Sequence, residues 1–383
     1  MFSFFAPKYV RQGRQFIKDA RKLLAYKRDL WSDVTVADFE RGIARLESAC
    51  DAGFEAGINE AVQALDAECG RVLPPPKDAN LRENCEVFLV AIVIALGVRT
   101  FFLQPFTIPT GSMQPTLNGV LGHPTQTEPP NFLVRLVQTA VLGRTWVNVV
   151  AQDDENVVRM LGEKRALIFE YTRILTDRGN AYLVHAEPRT LEEGFGVSFG
   201  RHYQRGQPIA RGYIETGDHV FVDKISYHFR APRRGDVFVF NTQNIPTGEN
   251  RLNPSGPSQF YIKRLAGTPG DEMRVQPPEL FVNGARATGS GFDRVMAAKE
   301  GYRGYSNGGE MTSPDGRITR FPMHFLRGPD ETVRLEAGQY WAMGDNSFHS
   351  SDSRDWGPVP QQNIMGRGLL VYWPFAAHWG RIE

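Results

Sequence analysis

Two side chains in this sequence could form a hydrolytic pair, and neither has a conventional partner beside it. Ser112 stands in F-T-I-P-T-G-S-M-Q-P-T-L, Phe106 to Leu117. There Pro109 fixes φ and biases Ile108 toward extended backbone, Gly111 permits a sharp turn just before the hydroxyl, and Pro115 keeps a helix from starting. Read locally, this is a Pro/Gly turn with an exposed hydroxyl. A serine becomes a nucleophile at neutral pH only beside a base. His219, His228, His324 and His349 are scattered, with no acid at helical or strand spacing, and no His/Cys pair has the spacing of a zinc site. No metal or cofactor is implied. Lys263 is the other possible base. It follows Tyr261 and Ile262 on an expected strand, and burial there would disfavour the ammonium and bring its pKa toward that of a general base. Taken alone, a strand lysine reaching solvent is the commoner reading.

The elements that must position this pair begin upstream. Ser112 follows closely on the one strongly apolar run, Val87 to Val98. Extended to Cys85–Leu103, with Arg99 snorkelling, the run is long enough for a thin or tilted membrane span. At roughly 3.3 Å per extended residue, Ser112 stays within reach of the lipid surface. The opening M-F-S-F-F is too short for a cleavable signal peptide. Lys8, Arg11, Arg14, Lys18, Arg21, Lys22, Lys27 and Arg28 then alternate with Phe16, Leu23, Leu24 and Leu30. This is a basic amphipathic helix, either resting on anionic headgroups or simply solvated. From Val36 to Cys69 apolar residues step by three and four. One long helix or a broken pair is expected there, stopped by Gly70 and Pro74-Pro75-Pro76.

After the run, residues 119–208 read as an inserted subdomain without a functional constellation. Asn131 to Ala151 is moderately apolar but interrupted by Arg135 and Arg144, and Leu161 to His185 suggests a helix followed by a strand. From Gly217 the texture changes to short strands, with Gly-Asp turns ahead of V-F-V runs and an Asn-Gly turn at Asn283. Residues 284–338 are polar and glycine-rich, an expected loop and hairpin excursion. The chain has 383 residues, 38 glycines, 25 prolines and a net charge of +1, which suits several turn-rich domains and points to no nucleic-acid partner. Its three cysteines, Cys50, Cys69 and Cys85, exclude intrachain disulfides downstream.

Taken in order, four segments resemble bacterial type I signal peptidase. F-T-I-P-T-G-S-M-Q-P-T-L looks like that family's nucleophile box, G-D-H-V-F-V-D-K its next strand, Y-I-K-R-L-A-G-T-P-G-D its lysine box and G-D-N-S-F-H-S-S-D-S-R-D-W-G its last box. The resemblance covers about residues 85–118, 217–283 and 340–375. It implies a mainly β catalytic domain, residues 104–118 and 209–383, with a cytoplasmic helical region, 1–84, and one transmembrane helix, 85–103. It further implies a bacterial inner-membrane, single-pass protein with its catalytic domain on the outer face. The implied activity is a serine endopeptidase that removes signal peptides from exported preproteins after small, Ala-x-Ala-like residues. Its partners would be those signal peptides, the lipid bilayer and, as a further candidate, the translocation machinery.

Residue by residue, the resemblance makes Ser112 the nucleophile and Lys263 the general base. Thr110, in place of a family serine, would share the oxyanion hole with the Ser112 N–H. Ser350 would orient the amine, Asp352 and Arg354 would brace the last box, and Gly344, Asp345 and Asn346 would shape its turn. Phe106, Ile108, Pro109, Met113, Leu117, Tyr261 and Ile262 would form a shallow apolar substrate lining. His349, where many members carry asparagine, and Phe260, where some carry an acid, depart from the pattern and are expected to tune the pocket's shape. Two rival readings fit less well. A self-cleaving repressor-type protease lacks its basic recognition helix here. An inactive membrane-anchored scaffold of the same fold would need a missing catalytic residue.

Overall fold

The computed structural model describes residues 7–73, 79–165, 169–247, 250–252, 259–313 and 317–383. The opening M-F-S-F-F and the Pro74-Pro75-Pro76 helix stop lie outside the described residues. Two compact units divide the chain, 1–93 and 94–383.

The first unit is built on α1 (Lys8–Lys27), α2 (Asp33–Ala52) and α3 (Glu55–Val72). Ser32 caps α2 by accepting from Thr35 N–H, and left-handed Gly53 ends it, so of the two expected alternatives the broken pair is the one formed, as a hairpin. Phe39, Ile43, Leu46, Ile58 and Leu65 form its core, while Phe54, assigned to the apolar stripe by spacing, sits exposed at the break. The apolar face of α1, including Val10, Ile17 and Ala20, packs into the same core. That face is therefore not free to rest on lipid. Arg14 and Arg21 pair with Asp51 and Glu47 of α2. The next helix, α4 (Ala79–Phe101), contains a 22-residue apolar stretch long enough to cross a membrane. It ends two residues before Leu103, which the sequence places in the span but which opens the first strand instead.

In the second unit an antiparallel sheet collects strands from both ends of the chain, in the spatial order Leu103–Thr107, His219–Asp223, Ile364–Trp373, Val237–Asn241, Phe260–Gly267, Gln339–Met343, Val359–Pro360. Valine and phenylalanine alternate through V-F-V-F-N, the sheet's middle, so both faces are apolar. One face packs with Ile108, Met113, Leu117, Val220 and Val371, the other with Phe238, Phe240, Leu265 and Trp356.

The insert has its own core, including Ile174, Val184, Leu191, Tyr203 and Ile209. Pro208–Glu215, most of which the sequence assigns to the catalytic domain, is the insert's central strand, pairing with both Leu121–Pro124 and Arg144–Val150. The helix expected at the start of 161–185 is absent: Glu155–Arg165 and Phe169–Thr176 pair as strands. The 284–338 excursion is likewise more than loop. Its Phe292, Val295, Met296, Tyr305 and Leu326 pack with Met273 and Trp341 in one core.

Phe238 stands opposite Lys263 in the sheet and is fully buried. Phe238→Ala should lower stability by about 3–5 kcal/mol, through lost burial plus an unfilled cavity. Urea unfolding of the detergent-solubilised chain measures this, and a change under about 1 kcal/mol would place Phe238 outside the sheet's cooperative core.

Candidate active site

The nucleophile loop leaves the sheet where Leu103–Thr107 ends. Ile108 N–H donates to Asp218 O, and Thr110 continues extended into a single 3-10 turn, Gly111–Met113. Thr116 and Leu117 N–H both donate to Met113 O, closing the turn. Met113 and Leu117 are fully buried below it and Ile108 nearly so. These three, expected to line an accessible pocket, instead root the loop in the core, because the 3-10 turn points them under the sheet face. Of the expected lining, Phe106, Tyr261 and Ile262 are half-buried and Pro109 is exposed. Phe260, one of the departures, is also accessible and meets Phe106 edge to face, with ring centroids 5.5 Å apart. His349, the other, is exposed.

Lys263 comes from the middle strand. Its Nζ lies 2.6 Å from Ser112 Oγ, and the side chain is 5% exposed. Burial strips the ammonium of water and brings its pKa down from 10.5 to about 8, assisted by Arg354 and opposed by Asp352 and Asp345. Each opposing acid is already engaged. Asp345 accepts from Arg264 Nε at 2.8 Å and Nη2 at 2.7 Å, and from Thr116 Oγ1. Asp352 accepts from Arg354 Nε and Nη2, both at 2.8 Å, and from Gly344 N–H at 3.0 Å. Burial works to raise the Asp352 pKa, yet Arg354 and these hydrogen bonds hold it below the usual carboxylate range. Both arginines are fully buried. Each carboxylate's charge is thus spent on a forked guanidinium, which weakens its hold on a lysine proton.

Arg264 and Thr116 escaped the sequence reading. The signal was an arginine in an apolar strand, which demands a buried carboxylate; strand alternation then sends it to the face opposite its neighbour Lys263. Arg354 also reaches into the 284–338 excursion, donating to Ser306 O at 2.7 Å.

The last box clamps the nucleophile loop. Asn346 N–H donates to Ser112 O at 3.1 Å, and its Nδ2 to Gly111 O at 3.2 Å. Gly344 admits the close approach: a Cβ there would stand 2.1 Å from Ser350 Oγ and 2.6 Å from Ser112 O. Thr110 Oγ1 lies 3.4 Å from Ser112 Oγ, so its hydroxyl is on the nucleophile's edge. Ser350 is buried beside Gly344, and its Oγ has no hydrogen-bond partner among the described residues. The amine is held here by Ser112 and by the Tyr261 ring, 5.7 Å to the centroid.

A hydroxyl against a buried, easily deprotonated amine can attack a carbonyl carbon, the amine taking its proton.

Comparison with known proteins matches this chain, at residues 81–121 and 210–373, to the family described as signal peptidase, peptidase S26. The match covers more than half of the chain and omits residues 122–209. A signal peptidase I of Leptolyngbya laminosa is 31% identical over 42% of this chain and 63% of its own length. One from Pseudomonas fluorescens is 30% identical over 42% and 61%. The chain therefore spans about three fifths of these relatives. A chloroplastic thylakoidal processing peptidase 1 of Arabidopsis thaliana is 27% identical over 42% and 38%. A solved signal peptidase I from Enterococcus faecalis aligns over 36% of this chain and 97% of its own at 24% identity, with a TM-score of 0.24.

Removing one partner of the Arg264–Asp345 pair leaves a buried charge uncompensated. Asp345→Asn should cost about 3–5 kcal/mol, and Arg264→Met combined with Asp345→Leu should recover much of it. Denaturant titration of the two variants decides; equal losses in both would mean the pair contributes as packing volume, not as charge.

Proposed function

This chain belongs to the signal peptidase family, peptidase S26, and on that premise we propose that it is a membrane-anchored serine endopeptidase. It removes N-terminal signal peptides from exported preproteins, cleaving after small residues. The observation that carries this reading is the 2.6 Å contact between Ser112 Oγ and a buried Lys263 whose pKa is about 8.

In the proposed reaction neutral Lys263 takes the Ser112 proton as Oγ bonds to the scissile carbonyl carbon. The carbonyl oxygen becomes an oxyanion that accepts from Thr110 Oγ1 and the Ser112 N–H. The tetrahedral intermediate collapses by breaking the C–N bond, and the Lys263 ammonium returns its proton to the leaving amine. Water then attacks the acyl-enzyme, with Lys263 again as base, and releases the signal peptide's new carboxylate. Phe106, Pro109, Tyr261 and Ile262 are the accessible apolar groups for the small residues at the cut. Gly344, Asp345, Asn346, Asp352 and Arg354 hold the last box against the loop.

The helix α4 fits a single anchor in the cytoplasmic membrane, with the basic α1 side retained in the cytoplasm by the positive-inside bias and the body of the enzyme outside. Anchoring brings the site to where a signal peptide leaves the bilayer, a gain in proximity. The translocation machinery is the natural supplier of such substrates.

Ser112→Ala and Lys263→Ala should each abolish cleavage of a preprotein in liposomes while leaving circular dichroism unchanged. Near-normal turnover of the lysine variant would refute the dyad. Thr110→Val should slow turnover by about 10²–10³-fold, with Thr110→Ser close to wild type; an unaffected valine variant would remove Thr110 from the oxyanion site.

The active lysine is the neutral one, so the sign of the pH effect follows. Below a pKa of about 8 the amine is protonated and cannot accept from Ser112. Cleavage should therefore rise about tenfold per pH unit up to about 8 and level off above it. A flat profile from pH 6 to 9 would contradict Lys263 as base.

A further inference from the structure

The helix Phe132–Leu142, in the insert and outside the family match, is built inside out. Its sequence, F-L-V-R-L-V-Q-T-A-V-L, holds one charge, Arg135, and two other polar side chains, Gln138 and Thr139. A surface helix normally turns its apolar stripe toward the core. Here a polar side chain is half-buried instead: Trp146 Nε1–H donates to Gln138 Oε1 at 2.6 Å, while exposed Thr139 Oγ1–H donates to Arg144 O at 2.7 Å just past the helix end. Phe132 and Leu133 are 72% and 70% exposed, Leu136 and Val137 are more than half exposed, and no residue of the helix is buried.

The helix is nonetheless well fastened. Asn131 Oδ1 accepts from Val134 N–H, and left-handed Gly143 donates to Gln138 and Thr139 carbonyls. Trp373 Nε1–H donates to Ala140 O at 2.8 Å and Phe375 N–H to Val141 O at 2.9 Å. Phe375 and Trp379, both more than half exposed and paired ring to ring, extend the apolar surface with aromatics. A firmly capped helix that shows its phenylalanine, leucine and valine side chains to the outside needs a covering.

We propose that this helix lies in the interfacial layer of the lipid bilayer, as a second membrane contact of a chain already anchored by α4. The helix has 11 residues, about 16 Å, too short to cross a hydrocarbon core of about 30 Å but suited to lying along its boundary. Its single arginine can snorkel to headgroups, and exposed Trp and Phe beside it are the side chains that favour that depth. The mounting of the helix is linked to the strand that follows the anchor through a short series of neighbours. The end of α4 leads into Leu103–Thr107, Thr107 pairs with His219, and the His219 ring lies 4.7 Å from that of Trp373, which holds Ala140. The proposal needs α4 in a bilayer but not the peptidase activity, so the two readings fail separately.

The test is nitroxide accessibility in the full chain, reconstituted into phosphatidylcholine–phosphatidylglycerol liposomes, with Cys50→Ala, Cys69→Ser and Cys85→Ser as background. Labels are placed singly through Leu136→Cys, Ile92→Cys within α4 and exposed Arg334→Cys. The expected result is frequent oxygen collision at position 136 with a several-fold loss of collision with an aqueous nickel chelate, relative to position 334. Position 92 should be more strongly protected still. If position 136 meets nickel as often as position 334 while 92 stays protected, the helix is in water and the proposal is overturned. A label at 136 shielded from both reagents overturns it in favour of a protein cover. Nickel access at position 92 overturns it at its premise, the anchored α4.

Discussion

The main sheet of the second unit and the segments that close over it serve one electrostatic constraint: a lysine must be kept in a place where it can readily lose its proton, touching a serine. Water would hold Lys263 as an ammonium, so the site removes water. The low-dielectric interior that does this also strengthens the pull of Asp345 and Asp352, which works the other way. The structure meets this by giving each acid its own buried arginine. With Arg264 on Asp345 and Arg354 on Asp352, each carboxylate is met by a guanidinium instead of by the lysine. Buried ion pairs contribute little net stability by themselves. Here they engage both carboxylates, which limits how far those acids raise the Lys263 pKa against the effect of burial.

That arrangement needs segments far apart in sequence to meet within about an ångström. Lys263 and Arg264 leave one strand on opposite faces, and the nucleophile loop and the last box close over them. The Gly344 backbone packs against Ser112 O and Ser350 because it has no Cβ. Arg354 then ties the same box to Ser306 in the excursion, so a region resembling a decorative loop in sequence is part of the brace. The insert, in contrast, has an independent core and contributes none of the site's bonds described above. It is free to carry a surface with no part in the site, the exposed helix Phe132–Leu142.

Particular residues mark where sequence reasoning reached and where it stopped. The α2–α3 hairpin and the apolar α4 were legible because periodicity and length report burial directly. Leu161–His185 misled, since a short apolar run fits either helix or strand until its partner strand is known. Met113 and Leu117 read as pocket lining because apolar character does not say which way a turn points; the 3-10 geometry of Gly111–Met113 sends them inward. The basic helix α1 left lipid and solvent both open, and the answer was a core supplied by α2 and α3.

By itself, the sequence determined the composition of the chemistry: a hydroxyl in a rigid Pro/Gly turn, a lysine among apolar strand residues, and a membrane-length apolar run shortly before them. These are local properties, set by side-chain type and by the few dihedrals that proline and glycine constrain. Only the tertiary structure decided that Ser112 and Lys263 touch, that Arg264 and Thr116 belong to the site, and that Ser350 stands buried without a hydrogen-bond partner among the described residues. Each of these depends on distances between segments up to 235 residues apart, and a pKa near 8 arises only where burial and opposing charges are summed in one place. The chain specifies which groups exist; packing alone sets their separation and their dielectric, and chemistry follows from both.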